Sequence, residues 1–323
     1  MTKKKKFDLD AYKKKIKVAE TPMKKDKFVE LDPCLHEILG MPGLPLGHIT
    51  EIFGRSDTGK TTMMFHAAAQ AQQKGILPII IVTEGKVSWA RAKSMGFDPE
   101  GACIIREDLQ YLEEVYQFMG KVCADVGSGD LPYDTMIFWD SLGNTLSQKE
   151  VEVQKDGSVE RKSTMMVAGK ANSEGLRVLS TQVNNTRKIS YPKTVGITII
   201  NTCYTKPPAF PGGMSTEVPY GGEAAWYKAS LILKTKRRKK LTATKDGVKM
   251  GFGIVSSISV EKNHLTNTSH SGEYVITGDA IIPNEKTSID AYKEEHKEDW
   301  GTLHIMDDET GEIFDGTEEV VDE

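Results

Sequence analysis

The chain has 323 residues, 38% hydrophobic and 27% charged, which suits one large soluble α/β core with short appendages, or two small domains. No run approaches the roughly 18–20 apolar residues of a membrane helix, and no apolar stretch of the signal-peptide kind follows the lysine-rich start; a cytoplasmic protein with no membrane partner is expected. The net charge of −4 conceals opposed ends, with eleven lysines against four acids in residues 1–27 and thirteen acids against one lysine in residues 294–323.

A basic arm with an acidic tail is a pattern of proteins that touch nucleic acid and limit their own binding; two solvated tails are the competing reading. Residues 1–30 read as an arm with one short helix over 7–19. Cys34, Cys103, Cys123 and Cys203 are scattered, with no CxxC pair and no histidine at ligand spacing, so reduced thiols are expected rather than a zinc site or disulfides. A loop with Gly40, Pro42, Gly43, Pro45 and Gly47 leads to an apolar strand over 48–53, a glycine-containing turn and a helix from about 60 to 74. Residues 77–83 are a continuous apolar run, as inside a parallel sheet. A helix near 88–95, a strand over 103–106, a helical period over 108–126 and buried strands over 135–139 and 194–201 follow. Strands alternating with helices predict an α/β fold with a mainly parallel sheet covered on both faces. After Tyr227, consecutive strands over 229–236, 253–261 and 273–276 predict an antiparallel extension. Residues 151–163 and 206–222 fit no regular element, and both follow strands of the parallel sheet, where long loops are usually functional or disordered.

Gly54, Arg55, Ser56, Asp57, Thr58, Gly59, Lys60 and Thr61 match GxxxxGK[ST] between a strand and a helix. Glycines there let backbone N–H groups face one anion, and the helix N-terminus adds partial positive charge. Lys60 can reach the β- and γ-phosphates, and the Thr61 hydroxyl can ligate Mg2+. Asp140 follows four apolar residues at the C-terminal end of a strand, where ligands of open parallel sheets lie, and is the second metal-side candidate; a helix-capping role is its alternative. Glu84 also ends a strand, and either orients the attacking water or is a solvated surface residue. Asn201 ends an apolar strand just before the second long loop, a place to sense the γ-phosphate and move that loop.

The run from Leu39 to Thr62, which carries Gly-Met-Pro-Gly-Leu-Pro-Leu-Gly ahead of the phosphate loop, is very similar to the same region of bacterial RecA. Glu84 followed twelve residues later by Gly96, within Arg91-Ala-Lys-Ser-Met-Gly-Phe-Asp-Pro99, resembles that family's strand-end glutamate segment. Phe138-Trp-Asp-Ser-Leu-Gly-Asn144 resembles more closely still the UvsX-type recombinases of bacteriophages. The likeness runs from about residue 31 to residue 282.

That resemblance implies a RecA-like P-loop NTPase core using ATP and Mg2+. It makes Glu84, Lys60 and Lys262 catalytic, and Thr61 and Asp140 metal-side. Thr62, Arg91, Asn201, Lys262 and His264 join the phosphate loop in the nucleotide site. Lys262 lies in Val260-Glu-Lys-Asn-His264, which resembles a segment reaching across a subunit boundary to the neighbour's ATP. His264 stands where the family has a second lysine. Asn201-Thr202 matches the pair that relays the phosphate state, but Thr202 replaces a glutamine, so the relay is expected to run through Asn201 or a water. Residues 151–172 and 206–222 resemble the first and second DNA loops. Lys155, Arg161, Lys162, Lys170 and Lys206 can neutralise phosphates, as can backbone N–H groups around Gly221 and Gly222. Phe210, Met214 and Tyr220, with Met165 and Met166, are candidates to wedge or stack on bases, core packing being the alternative for the methionines.

The implied partners are single-stranded DNA, a homologous duplex for strand exchange in recombination, repair and replication, further copies in a helical filament, and single-strand-binding and loader proteins. A phage origin places all of this in the host cytoplasm. The domain reading is a polymerisation arm over 1–30, a core over 31–285 and an acidic tail over 286–323. That tail is too short for the family's C-terminal domain, so duplex capture of that kind is not expected. The basic run at Lys234, Lys236, Arg237, Arg238, Lys239 and Lys240 either guides a duplex or is a solvated hairpin tip. Two rivals stay open. A hexameric helicase-type motor is disfavoured by the absence of an additional helicase domain, whereas Thr202 and His264 keep alive a non-catalytic scaffold or regulator.

Overall fold

Runs such as Ile79-Ile-Ile-Val82 and Met136-Ile-Phe-Trp139 have no polar face, and each strand they form is buried on both sides. The computed structural model describes residues 8, 12, 23–150, 161–208, 210, 213–245, 248–266, 269–296, 304–306 and 313–315. In chain order the elements are β1 (Phe28–Glu30), α1 (Pro33–Leu39), β2 (Gly43–Pro45), β3 (Ile49–Gly54), α2 (Lys60–Gln73), β4 (Leu77–Val82), α3 (Trp89–Ser94), β5 (Ile104–Arg106), α4 (Leu112–Ser128), β6 (Thr135–Asp140), a 3-10 turn (Leu142–Asn144), α5 (Arg161–Thr186) and β7 (Val195–Asn201). They continue with β8 (Cys203–Lys206), β9 (Thr216–Pro219), α6 (Ala224–Lys228), β10 (Leu231–Lys245), β11 (Val248–Asn263), β12 (Ser271–Thr277), β13 (Ile281–Pro283), α7 (Lys286–Glu295), β14 (His304–Met306) and β15 (Ile313–Asp315).

Nine strands form one sheet in the order β13-β12-β11-β10-β3-β7-β6-β4-β5. From β10 to β5 neighbouring strands are parallel, and β11, β12 and β13 continue the sheet antiparallel, as the sequence pattern predicts. Alternation along each central strand divides the core. Met136 and Phe138 pack in one layer with residues of α2, and Ile137 and Trp139 pack in the other with α4 and α5.

Several elements differ from the sequence expectation. The strands predicted over 229–236 and 253–261 extend into a long ribbon, β10–β11, whose outer half carries the exposed cations Lys236, Arg237, Arg238, Lys239 and Lys240. Charge hid that ribbon from a hydrophobicity pattern, because backbone pairing needs no apolar face. The loop over 206–222 is partly a hairpin, with Tyr204 opposite Val218 and Thr205 opposite Glu217. Helix α1 is opened by Asp32, which accepts from the Cys34 amide at 3.0 Å, and closed by Gly40 at φ 66°.

Residues 23–30 lie against the core. Lys24 Nζ donates to the Thr186 and Lys193 carbonyls at 2.9 and 2.8 Å and to Thr194 Oγ1 at 3.0 Å. Helix α7 rests on the ribbon through Tyr292, stacked on Phe252. The helix expected over 7–19 lies outside the described residues except for Asp8 and Tyr12, as does most of the acidic tail. All four cysteines are free thiols. Among the described residues no helix is long and apolar enough to cross a membrane.

Candidate nucleotide site and loop hinge

The phosphate loop leaves β3 at the C-terminal edge of the parallel strands and turns into α2. Gly59 has φ 86°, a region where L side chains are strained, and a Cβ there would lie 2.0 Å from Ile276 Cδ1. Asp57 is the one non-glycine residue at positive φ among the described residues, at 58°. Thr58 is buried, its hydroxyl 2.8 Å from Thr235 Oγ1 on β10. Ser256 Oγ donates to the Thr58 carbonyl at 2.8 Å. The loop is thus propped by the antiparallel half of the sheet.

Lys60 is buried and folds over its own loop, donating to the Gly54 and Arg55 carbonyls at 3.0 and 2.7 Å. Burial lowers its pKa, opposed first by the Asp140 carboxylate. The Thr61 hydroxyl donates to Asp140 Oδ2 at 2.6 Å. Burial pushes the Asp140 carboxyl up to about 6, against the Thr61 hydrogen bond and with the help of nearby Glu84. A hydroxyl and a carboxylate in contact at a phosphate loop are the hard-oxygen pair that fits Mg2+. Among the described residues no group of three or more His, Cys, Asp or Glu forms a dedicated metal cage.

Glu84 is half-buried beyond the end of β4, and Ser141 Oγ donates to its Oε2 at 3.2 Å. Asn144 Nδ2 donates to the same Ser141 hydroxyl at 3.1 Å. The Asp140–Ser141 peptide is cis. Ser141 and Asn144 were not singled out from sequence, although both lie in the motif that ends at Asn144.

Asn201 is fully buried. Its Nδ2 donates to Glu51 Oε1 and to the Tyr220 carbonyl, both at 2.8 Å. Its amide is therefore turned toward Glu51 and the end of the second loop. Burial pushes Glu51 up to about 7, with the Asn201 bond opposing. Glu51, a carboxyl in the middle of an apolar strand, carries no motif that marks it. A second unforeseen link joins the loops directly. Arg55 Nε meets Glu217 Oε1 at 2.7 Å, Lys234 Nζ meets Glu217 Oε2 at 3.1 Å, and Arg55 also donates to Thr205 Oγ1 at 3.2 Å.

Lys60, Thr61, Asp140 and Glu84 are thus brought together, whereas Lys262 and His264 are not. Lys262 pairs with Ile232, three positions before the Thr235 that lies beside Gly54, which sets it roughly 10 Å back along the strands. Its ammonium donates to the Trp226 carbonyl at 2.5 Å, and the His264 amide donates to Ser230 O at 2.9 Å. Arg91 lies on α3, its buried Nε without a hydrogen-bond partner, and burial lowers its pKa.

Of the expected DNA-contacting residues, Lys155 lies outside the described residues, and Arg161 and Lys162 open α5. Lys170 is exposed on α5, in a groove shared with Tyr116 and Lys149. Lys206 ends β8. Phe210 and Met214 are 67% and 91% exposed, so core packing does not hold them. Tyr220 packs against Tyr204 with ring centroids 5.1 Å apart and the rings tilted by 56°, and Gly221 and Gly222 follow at φ 86° and 77°.

A phosphate loop at the open edge of a parallel sheet, with a strand-end aspartate touching its threonine, defines a P-loop nucleotide-binding protein of the α/β class. A family model described as the RecA N-terminal domain matches residues 16–278, and the chain belongs to the RecA family. It is 28% identical over 231 residues to "Protein RecA" of Mycoplasma genitalium, covering 72% of this chain and 61% of that one. The figures are 29% over 258 residues for that of an Arthrobacter species, with coverages of 80% and 66%, and 30% over 228 residues for that of Streptococcus pyogenes, with 70% and 54%. The matched region thus spans about three fifths of these relatives' length.

Proposed function

We propose that this chain is an ATP-dependent DNA recombinase that polymerises on single-stranded DNA and pairs it with a homologous duplex, in recombination, repair and replication. The observation that carries the reading is the placement of the Thr61–Asp140 contact, Lys60 and Glu84 at one sheet edge, with Asn201 at the end of the neighbouring strand β7 bonded to the end of the second loop. In this reading Thr61 and Asp140 hold Mg2+, which when bound neutralises charge on the β- and γ-phosphates. Glu84, steadied by Ser141, orients the attacking water, and Lys60 stabilises charge on the transferring phosphoryl group. Arg91 flanks the nucleotide. Lys262 and His264 serve the nucleotide of a neighbouring copy, because they lie too far from their own.

On the DNA side, Lys155, Arg161, Lys162, Lys170 and Lys206 neutralise phosphates, with the Gly221 and Gly222 amides. The exposure of Phe210 and Met214 supports a wedging role for them, and Tyr220, packed against Tyr204, stacks on a base. The Phe138–Asn144 motif supports the UvsX-type phage branch, acting in the host cytoplasm with single-strand-binding and loader proteins. ATP turnover with and without oligo(dT), in wild type and Glu84→Gln, tests the reading. Oligo(dT) should raise wild-type turnover, and Glu84→Gln should lose at least about a hundredfold in kcat while still binding ATP. Turnover absent, or indifferent to oligo(dT), would overturn it.

A further inference from the structure

Two consecutive carbonyls at the end of the second loop, those of Tyr220 and Gly221, are each received by a buried asparagine amide. The first is Asn201 on β7, already described. The second is Asn172, two residues beyond Lys170 on α5, whose Nδ2 donates to Gly221 O at 2.6 Å. Asn172 is fully buried, and its Oδ1 accepts the phenolic hydrogen of Tyr116 on α4. Burial raises the Tyr116 pKa well above its usual value, so the phenol keeps that proton. Gly221 must be glycine for two reasons. Its φ is 86°, and a Cβ there would lie 2.7 Å from Asn172 Nδ2. Neither Asn172 nor Tyr116 belongs to the phosphate site, and no other described contact requires an amide inside α5.

We propose that Asn172, held in orientation by Tyr116, is a positioning residue for the strand-binding surface: it hooks the Gly221 carbonyl, so that the helix leaving the first loop and the hinge of the second move as one body. Each member needs the others. A buried amide with a free rotor would lose its carbonyl partner, and an unhooked hinge would expose an unsatisfied carbonyl against α5. Asn201, itself bonded to Glu51, holds the preceding carbonyl from β7, so a sheet-side bond and a helix-side bond meet on two adjacent peptide units. The function served rests on the recombinase reading; the hook itself does not.

Tyr116→Phe removes one oxygen and keeps the ring, so it is the gentle probe, and Asn172→Ala is the severe one. Both are assayed as full-length protein with ATP, Mg2+ and oligo(dT). The expected result is about a tenfold rise in the oligo(dT) concentration giving half-maximal turnover, equal to about 1.4 kcal/mol. The kcat at saturating oligo(dT) should stay within about twofold, and DNA-free binding of a fluorescent ATP analogue should not change, as befits one lost positioning bond. The double variant should lose no more than the worse single one, because the two side chains act in series. An unchanged half-saturation in Tyr116→Phe, multiplying losses in the double variant, or nucleotide binding lost together with the DNA response would each overturn the proposal. If wild type ignores oligo(dT), the functional reading fails alone. The hook is then read by amide hydrogen exchange at residues 220–223, which should quicken about tenfold in Tyr116→Phe, and no change there would overturn it.

Discussion

The phosphate loop and the hinge at Tyr220–Gly222 flank the neighbouring strands β3 and β7, yet they are built by opposite means. The phosphate loop is one contiguous stretch, in which Lys60 leans on carbonyls five and six residues before it, with Thr235 and Ser256 propping only Thr58 from outside. The hinge is held by Glu51, Tyr116, Asn172 and Asn201, drawn from four elements across 150 residues of chain. A site that binds one fixed anion can be written locally. A segment proposed to link one loop to another is tied to several elements at once.

The comparison is broken most visibly at Lys60. Lys60→Ala should abolish the rise in melting temperature that ATP with Mg2+ gives wild type, a stabilisation of about 2.7 kcal/mol at one hundred times Kd. Scanning fluorimetry reads this directly, and a retained shift would mean that the local stretch is not the anchor. Glu51 tests the hinge side through pH. Its folded pKa of about 7 lies above the unfolded value of 4.5, so between these values the folded state holds an extra proton and stability falls as pH rises. Above about pH 8 the full cost is present, on the order of 3 kcal/mol. Glu51→Gln should flatten that fall in urea titrations from pH 5 to 8, and an unchanged slope would remove Glu51 as its source. The smallest effect is expected at Glu217, which bridges Arg55 and Lys234. Arg55 is 65% exposed, so the pair is well screened. Glu217→Gln should shift half-saturation by ATP less than about fivefold at low salt, and the shift should fade at 1 M salt. A large, salt-independent loss would instead make this bridge a principal link between phosphate loop and hairpin.

The same contrast explains what the sequence disclosed. The parallel strands were legible because both their faces are apolar, and the phosphate loop because its eight residues are adjacent. Asp140 and Glu84 were found by their place at strand ends. The ribbon at Lys236–Lys240 was cut short because cations fill a strand whose backbone pairing needs no apolar face. Glu51 passed unnoticed inside β3, since a carboxyl among apolar neighbours shows its use only when Asn201 is seen beside it. Asn172 lies in a helix where an amide has no local purpose, and Tyr116 looks like any amphipathic-helix aromatic until Trp139, 5.6 Å away between ring centroids, and Asn172 close around it.

Lys262 and His264 lie level with the start of β3, while the phosphate loop leaves its end. If Lys262 and His264 serve a neighbouring copy's nucleotide, as proposed above, one copy carries its socket on one rim and its plug on another. A contact between unlike patches does not close on a pair; it propagates head to tail. Any finite row of such copies leaves one terminal pocket without its lysine and one terminal lysine without a pocket. Turnover per copy should then climb with row length, and short rows should be set by their idle ends.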